Sequence, residues 1–568
     1  MGGSDAGEFR GGGHRGCLML LKYFHTLRHL KPIQVYGRLW HRINHARPQL
    51  TEAPPLRRAA GRWISTAKRP PSLLGPQRFR FLNETHELEK PEDWNRVDWE
   101  KLWLYNLHYF DDLNAHGAEA RTDWHRALIS RWIAENQPGR GSGWEPYPLS
   151  LRIVNWIKWA LAAHPFPGHA IYSLSVQARY LRRRLEYHLL GNHLFANAKA
   201  LVFAGLFFEG PEAEGWLKKG LTILEQEIPE QVLGDGGHFE LSPMYHSIIL
   251  EDLLDLINLC RTYPGALPDP YRNTPEAWVE VTDRMRHWLR ELSHPDGQIA
   301  FFNDAAFGIA AAPQDLEAYA ARLGFPRLPP IEDGLLHLKD ASYVRIRRGP
   351  IYLLFDVGKV GPDYLPGHAH ADTLSFELSW GAQRVICNSG TSCYGTGTQR
   401  LWERSTAAHS TVKVDGTDSS EVWGGFRVAR RASVHGVRVW EDRESAWTEG
   451  SHDGYRRLPG CPVHRRRIEV GSGVVHWWDE VTGKGRHEVV GYIPIHPDVS
   501  LHQVQQNIWR LDVPGTVRLE LRAEGDVSLA VEEGGFAPEF GKVLERRVLK
   551  WVWQGVLPVR VTFGIFEI

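Results

Sequence analysis

The chain has 568 residues, 42% of them hydrophobic and 24% charged, which is too long for one ordinary core and typical of a globular protein in water. Lys plus Arg and Asp plus Glu balance at 67 each, so no global field favours nucleic acid or an anionic membrane, and an acidic substrate would have to be met by local basic residues. Five cysteines (Cys17, Cys260, Cys387, Cys393 and Cys461), an odd number at irregular spacings, include no CxxC pair, so neither a disulfide framework nor a cysteine zinc site is signalled.

The first 15 residues are rich in Gly and are expected to lack ordered structure. The apolar run 17–21 is too short for a membrane span, and it carries neither a signal-peptide h-region nor a cleavage site. No export signal is evident, and the compartment stays open. Residues 23–43 read as helical and lead into a Pro- and Arg-rich connector that runs to about residue 90. From 91 to 335 the helical period dominates. Leu149, Ile153, Trp156 and Ile157 fall three or four apart, as do Leu190, Leu194, Ala198, Leu201 and Gly205. Ser242 followed by Pro243 reads as an N-cap with Pro at the first helical position, and Ile249, Leu253, Leu256 and Ile257 continue one face. Turns rich in Gly and Pro at 137–143, 165–168 and 264–270 separate the helices, which points to a bundle or a toroid of helical hairpins.

After Pro329 and Pro330 the character changes. Segments 353–355, 374–380, 385–387 and 411–414 are short, β-branched and alternating, and 434–440, 474–478, 517–521 and 558–563 repeat the pattern. Ten or more short strands over 336–568 predict a large antiparallel β-sandwich. The 23 Trp can fill large cores or stack on sugar faces.

Four polar clusters interrupt these apolar patterns. Asn192 and His193, with Asn197 one turn on, lie in the helical stretch 189–208. Asp235, His238 and Glu240 precede Tyr245 and His246, which fall in the first turn of the helix capped by Ser242. There the positive end of the helix dipole favours anions and could ease ionisation of the phenol. His368 and His370 alternate in an extended segment that also holds Asp372, so both imidazoles point to one side. Such a pair lets one His bind a metal while its neighbour reaches a cleft. Asn388 follows a strand, and Arg404 and His409 follow it. Asn388 and His409 could complete a metal site begun by His370, with Asp372 as a replacement ligand.

Taken together, the clusters resemble the heparinase II/III family of polysaccharide lyases. The resemblance is carried by Trp103-Leu-Tyr-Asn-Leu-His-Tyr-Phe110, Trp144-Glu-Pro-Tyr-Pro148, Gly191-Asn-His193 and Ser242-Pro-Met-Tyr-His246. Its most specific part is Pro366-Gly-His-Ala-His-Ala-Asp-Thr-Leu-Ser375, continued by Asn388-Ser-Gly-Thr391 and Ala408-His409. It implies an α/α toroid followed by an antiparallel β-sandwich, and cleavage of a uronate-containing glycan by β-elimination. Glycosaminoglycan-like chains (heparan sulfate, chondroitin, hyaluronan), bacterial exopolysaccharides with glucuronate and alginate-like chains are the substrate classes it leaves open.

The same resemblance implies residue roles. Asn192 matches the carboxylate-neutralising position, Tyr245 the catalytic Tyr and His368 the catalytic His. His193, His246, Trp144, Glu240 and Arg404 are expected to contact substrate. His370, Asn388 and His409 match a metal triad that is usually His, Asp, His, with Asn388 departing from it. The implied ion is a structural divalent metal, zinc first and manganese or calcium as substitutes. Because Asn192 and Tyr245 precede residue 335 and His368 follows it, the site is expected where two domains meet, with one sugar ring between Tyr245 and His368. Two rival readings stand beside this one. A glycoside hydrolase would use two of Glu145, Asp235, Glu240 and Asp304, and a non-catalytic glycan-binding or polymer-assembly protein would keep a Trp-rich cleft without needing Asn192, Tyr245 and His368 together.

Overall fold

The computed structural model describes residues 11–568 apart from 165, 167 and 516, without the side chains of 11–18. Two leading helices, Gly11–Leu27 and Pro32–Ile43, stand where one was expected, because Pro32 opens the second. The first of them includes residues 11–15, for which composition alone predicted no order; residues 1–10 lie outside the described part. The connector holds a small meander, Leu73–Gly75, Arg78–Phe81 and Glu84–Glu87, that its Pro and Arg content hid.

The helical half is built around Gly191–Phe207 and Pro243–Thr262, which are buried almost along their whole length. Helices Pro146–Leu161, Pro211–Gln231 and Thr274–Glu291 pack round them. A helix that is apolar on every side belongs in a core, and Gly205 and Gly220 let Gly191–Phe207 and Pro211–Gln231 approach closely. Among the described residues no helix is long and apolar enough to cross a membrane. The helices end with Pro313–Arg322, and strands resume at Gly334–Leu338.

The second half contains antiparallel sheets of five, eight and four strands. Val474–Thr482 alternates partly exposed and buried residues along most of its length, the period-two pattern of a sheet with one face inward. Its Trp477 stacks on Phe563 at 4.9 Å and meets Phe376 of the five-stranded sheet at 5.3 Å, while Trp551 of the four-stranded sheet lies 5.9 Å from Phe563. One aromatic cluster thereby joins all three sheets.

The five-stranded sheet decides where the site lies. Ile351–Asp356 and Phe376–Trp380 are buried at every position, so both faces of this sheet are covered. One face meets the sandwich core; the other meets Leu241, Trp288, Leu292 and Phe302 of the helical half through Tyr343, Tyr352 and Leu354. Polar bonds fix the register of this join. The Tyr343 hydroxyl donates to Leu241 O at 2.7 Å, Tyr352 to Glu291 O at 2.8 Å, and Arg345 pairs with Glu291 at 3.0 Å.

Candidate active site

Three chain reversals at this join place the predicted residues, and each is strained. Leu190, Leu241 and Asn303 have φ of 64°, 58° and 57°, a left-handed region that bulky residues rarely enter. Each such residue costs on the order of 1–3 kcal/mol and persists only where its surroundings over-determine it. All three lie immediately before a functional segment: Gly191–Asn192, Ser242 with Tyr245, and Asp304. Gly191 itself has φ 54°, and a side chain there would meet Leu365 at 2.4 Å and Glu240 Oε1 at 3.2 Å, so the close approach requires glycine.

Ser242 caps Pro243–Thr262 as the sequence predicts, accepting from Tyr245 N at 3.2 Å. The Tyr245 ring then lies on the His368 ring, with centroids 3.9 Å apart. The two residues therefore meet at the domain join, but they stack directly and leave no space for a sugar between them. The Tyr245 hydroxyl is 2.7 Å from that of Tyr394. Burial, then Tyr394 and Asp304, raise the Tyr245 pKa well above the ordinary phenol value, which overrides the expected help from the helix dipole. The resting phenol is neutral.

His368 is oriented from behind. Its Nδ1 lies 2.9 Å from Asp304 Oδ2, and its Nε2 points toward Glu240, 3.7 Å away. Burial alone would raise the Asp304 pKa; the Arg400 guanidinium and bonds from His368, His370 and Arg400 outweigh it and hold the carboxyl well below its usual range. Arg400 binds Asp304 with both terminal nitrogens, Nη2 to Oδ2 at 2.7 Å, and Thr391 donates to Oδ1 at 3.3 Å. An ionised Asp304 requires the proton of His368 on Nδ1, so Nε2 carries the lone pair. Burial lowers the His368 pKa although Asp304 works in the opposite direction, and the imidazole is neutral near pH 7.

Glu240 is the counterpart of Asp304. Both of its carboxyl oxygens are buried and have no hydrogen-bond partner among the described residues, and burial, then the Asp304 charge, raise its pKa to about 8. At neutral pH it is a protonated acid with a free donor beside His368 and Gly191. Asn192 is buried at the start of Gly191–Phe207. His193 is part-exposed, bonds Glu186 at 3.2 Å and lies 4.5 Å from the Tyr147 ring. A cavity of about 390 Å³ opens beside His193, with Tyr105, Trp144, Glu145, Arg184 and Glu186 in its wall. Trp144 is a core residue packed against Trp132 and Tyr180 and is almost fully buried.

Two expected substrate contacts are corrected. His246 turns away from the cleft, with Nε2 2.9 Å from Met285 O and its ring on Trp288 at 4.4 Å, and burial lowers its pKa to about 3. Adjacent residues of a helix point about 100° apart, so Tyr245 and His246 cannot both face the cleft. Arg404 is fully buried and donates to Ala369 O at 2.9 Å and to Gly425 O at 3.1 Å, which ties segment 366–372 to the turn at 424–427. Burial pulls its pKa down to about 9. The arginine that reaches the site is Arg400, one turn earlier. Sequence reasoning missed it and Tyr394, and weighed Asp304 only for hydrolysis. The one signal available was an Arg and a Tyr close to Asn388 in the chain.

His370 and His409 come together, Nδ1 to Nε2 at 3.0 Å. Their outer nitrogens are engaged by acceptors: His370 Nε2 by Asp304 at 2.8 Å and His409 Nδ1 by Ser405 O at 2.8 Å. With both outer nitrogens protonated, two lone pairs face each other, an arrangement a cation between them would relieve and that metal-bound histidines commonly show. Burial lowers both pKa values to about 4, which disfavours a proton as that cation. Asn388 Oδ1 accepts from Ser410 N at 3.2 Å, beside His409 in the chain, so a third donor would be a neutral amide already in use. Asp372 instead accepts from Asn303 N at 3.2 Å. Among the described residues no three His, Cys, Asp or Glu side chains gather into a cage. Two imidazoles fit an ion of the zinc type; the third position fits it weakly.

Comparison with known proteins follows the same division of the chain. The heparinase II/III N-terminus model matches residues 163–323, and the heparinase II/III-like C-terminal model matches 332–559. A heparin-sulfate lyase of Bacteroides stercoris is 29% identical over 269 residues, 44% of this chain and 37% of its own length. FtsZ-localized protein C of Caulobacter vibrioides is 28% identical over 396 residues, 65% of this chain and 62% of its own. The chain thus spans about half the length of the curated relatives it matches. The crystal structure of a heparinase III superposes with TM-score 0.69 at 18% identity, over 84% of this chain and 79% of that one, and shares the α/α toroid followed by a β-sandwich. The two matched models span well over half of the sequence, and the chain belongs to the heparinase II/III-like family.

Proposed function

We propose that the chain is a polysaccharide lyase that cleaves an acidic, uronate-containing glycan by β-elimination and leaves a 4,5-unsaturated uronate. The observation that carries this reading is the orientation of His368. Its Nδ1 is held by an ionised Asp304, and its Nε2 lone pair faces Glu240, 3.7 Å away, with the ring stacked on a neutral Tyr245.

A uronate C5 proton becomes removable when the adjacent carboxylate is neutralised, because charge then moves onto an enolate-like group. Asn192 and the protonated Glu240 are the uncharged donors at hand for that carboxylate. His368 takes the C5 proton through Nε2, and the Tyr245 phenol, already protonated, gives its proton to the departing O4. Arg400 keeps Asp304 ionised, so His368 keeps the tautomer the reaction needs. The substrate class follows the heparin-sulfate lyases among the relatives. A metal of the zinc type held by His370 and His409, with Asn388 near, would tie segment 366–372 to the His409 turn. Its role is structural. Metal analysis of protein purified without chelator tests it; absence of metal together with a melting curve indifferent to chelator rejects it.

A hydrolase finds little support, because three of its four candidate carboxylates are engaged elsewhere: Asp304 by Arg400, His368, His370 and Thr391, Glu145 by Lys101 and Tyr105, and Asp235 by the amides of Asp340 and Ala341. The test is a product assay on heparan sulfate, chondroitin sulfate, hyaluronan and a glucuronate-containing exopolysaccharide. Near-ultraviolet absorbance of an unsaturated uronate is expected from at least one. New reducing ends without that absorbance would mean hydrolysis, and binding without any product would mean a non-catalytic glycan protein.

A further inference from the structure

The two leading helices carry their apolar residues on the wrong side for a globular protein. In Pro32–Ile43 the inward face is Ile33, Gln34, Gly37 and His41, while Val35, Tyr36, Leu39, Trp40 and Ile43 face solvent. Trp40 is 65% exposed and Ile43 69%, whereas most tryptophans of the chain are buried. Gly11–Leu27 repeats the arrangement, with Leu20, Phe24 and Leu27 outward at spacings of four and three; Leu20 is 71% exposed.

These helices are nonetheless firmly seated. Lys31 pairs with Glu230 at 2.7 Å, Gln34 donates to Tyr364 O at 3.1 Å, and the His41 ring lies 4.2 Å from that of His188. Tyr23 packs edge-on against Trp423 at 4.9 Å, and the Trp423 indole donates to Thr26 at 3.1 Å. Their inner faces are used, and the outer face of each remains apolar and exposed, which marks an interaction surface.

Charge identifies the partner. Residues 19–51 contain Lys22, Arg28, Lys31, Arg38, Arg42 and Arg47 and no Asp or Glu, although the whole chain is neutral. Arg38 and Arg42 are exposed within the apolar stripe itself. Two such faces brought together in a symmetric dimer would set like charges against each other. A helix with exposed Trp, Tyr, Leu and Ile bordered by arginine, lying flat on the body that holds it, has the make-up of an interfacial membrane helix. We propose that the outer face of these two helices docks on an anionic lipid surface, with the indole and aliphatic side chains in the headgroup region and the arginines on lipid phosphates. This proposal stands apart from the glycan chemistry and does not depend on it.

The test is co-sedimentation of the purified full-length chain with vesicles of phosphatidylcholine alone or with 30% phosphatidylglycerol, about a third anionic lipid as a probe of charge. Binding to the anionic vesicles, at least about tenfold above the neutral ones and weakened by about 0.5 M salt, is expected. Leu39→Glu with Trp40→Glu, and separately Arg38→Glu with Arg42→Glu, should each reduce it at least about tenfold while the melting curve stays put. No sedimentation, equal binding to both vesicles, or binding indifferent to both double variants overturns the proposal. So does a concentration-dependent dimer that Trp40→Glu dissociates, since the face would then belong to a second copy.

Discussion

Two of the clusters of buried charge in this molecule are finished differently. In the helical core Lys158 and Lys199 meet Asp255 at 2.9 and 2.7 Å, Lys199 meets Asp252 at 2.6 Å, and Arg69 meets Glu251 at 2.8 Å. Tyr319 closes the remaining side of Asp255 at 3.1 Å. Burial works against the Lys199 ammonium, yet Asp252 and Asp255 more than offset it and its pKa is raised. Every charge there has its opposite. At the domain join Asp304 is equally well paired, but the network stops short: among the described residues Glu240 accepts no hydrogen bond, and His368 Nε2 faces it only at 3.7 Å. A closed ionic cluster holds helices together, and an open one leaves groups available for a ligand to bond.

Breaking the open cluster at its centre should have the largest effect. Asp304→Asn removes the ion that fixes the His368 tautomer and leaves Arg400 buried without its partner. Turnover should fall about 10⁴-fold, the scale seen when a carboxylate orienting a catalytic His is neutralised, and stability by about 3–5 kcal/mol. Steady-state rates on the folded fraction decide this; a kcat within tenfold of wild type would remove Asp304 from the mechanism.

Tyr245→Phe should lower kcat about 10²–10⁴-fold as the proton donor is lost. The ring still stacks on His368, so melting should shift by only a few degrees, and a wild-type rate would contradict the assignment. The closed cluster should answer in the opposite sense. Lys199→Met leaves Asp252 and Asp255 short of a cation and should cost about 3–5 kcal/mol in chemical denaturation, with kcat of the remaining folded enzyme unchanged.

The smallest effect is a slope. Glu240 titrates at about 8 in the folded protein against 4.5 ordinarily, so the folded state keeps a proton that the unfolded chain releases. Its contribution to stability is intact below 4.5 and declines as pH rises towards 8, by at most about 1.4 kcal/mol per unit. Glu240→Gln should flatten that decline, and the variant should gain on wild type from pH 5 to pH 8 in melting experiments. Parallel profiles would mean that Glu240 is ionised throughout.

Local chemistry was legible where it follows from neighbours in the chain. Ser242, Pro243 and the apolar face beyond them define a helix start in any context, and alternation in 474–478 defines a strand. The short motifs around Asn192, Tyr245 and His368 were legible as well. His246 and Arg404 were misjudged because a motif records adjacency, whereas helix rotation and burial decide which way a side chain faces. Outside the motifs, the apolar stripe of Pro32–Ile43 could be read as amphipathic, but a helix is expected to turn such a stripe inward.

What the sequence by itself determined, then, is the order of helices and strands, the caps and turns, and which residue types could do chemistry. These depend on φ, ψ and side-chain period within a few residues. Only the tertiary structure decided that Asp304 orients His368 from 64 residues away, that Arg400 reaches Asp304 from 96 and that Tyr394 reaches Tyr245 from 149. Only it decided that Glu240 is left unpaired and the leading helices show their apolar side to solvent. Ionisation and exposure are set by which surfaces the fold removes from water, and that depends on contacts between segments distant in the chain.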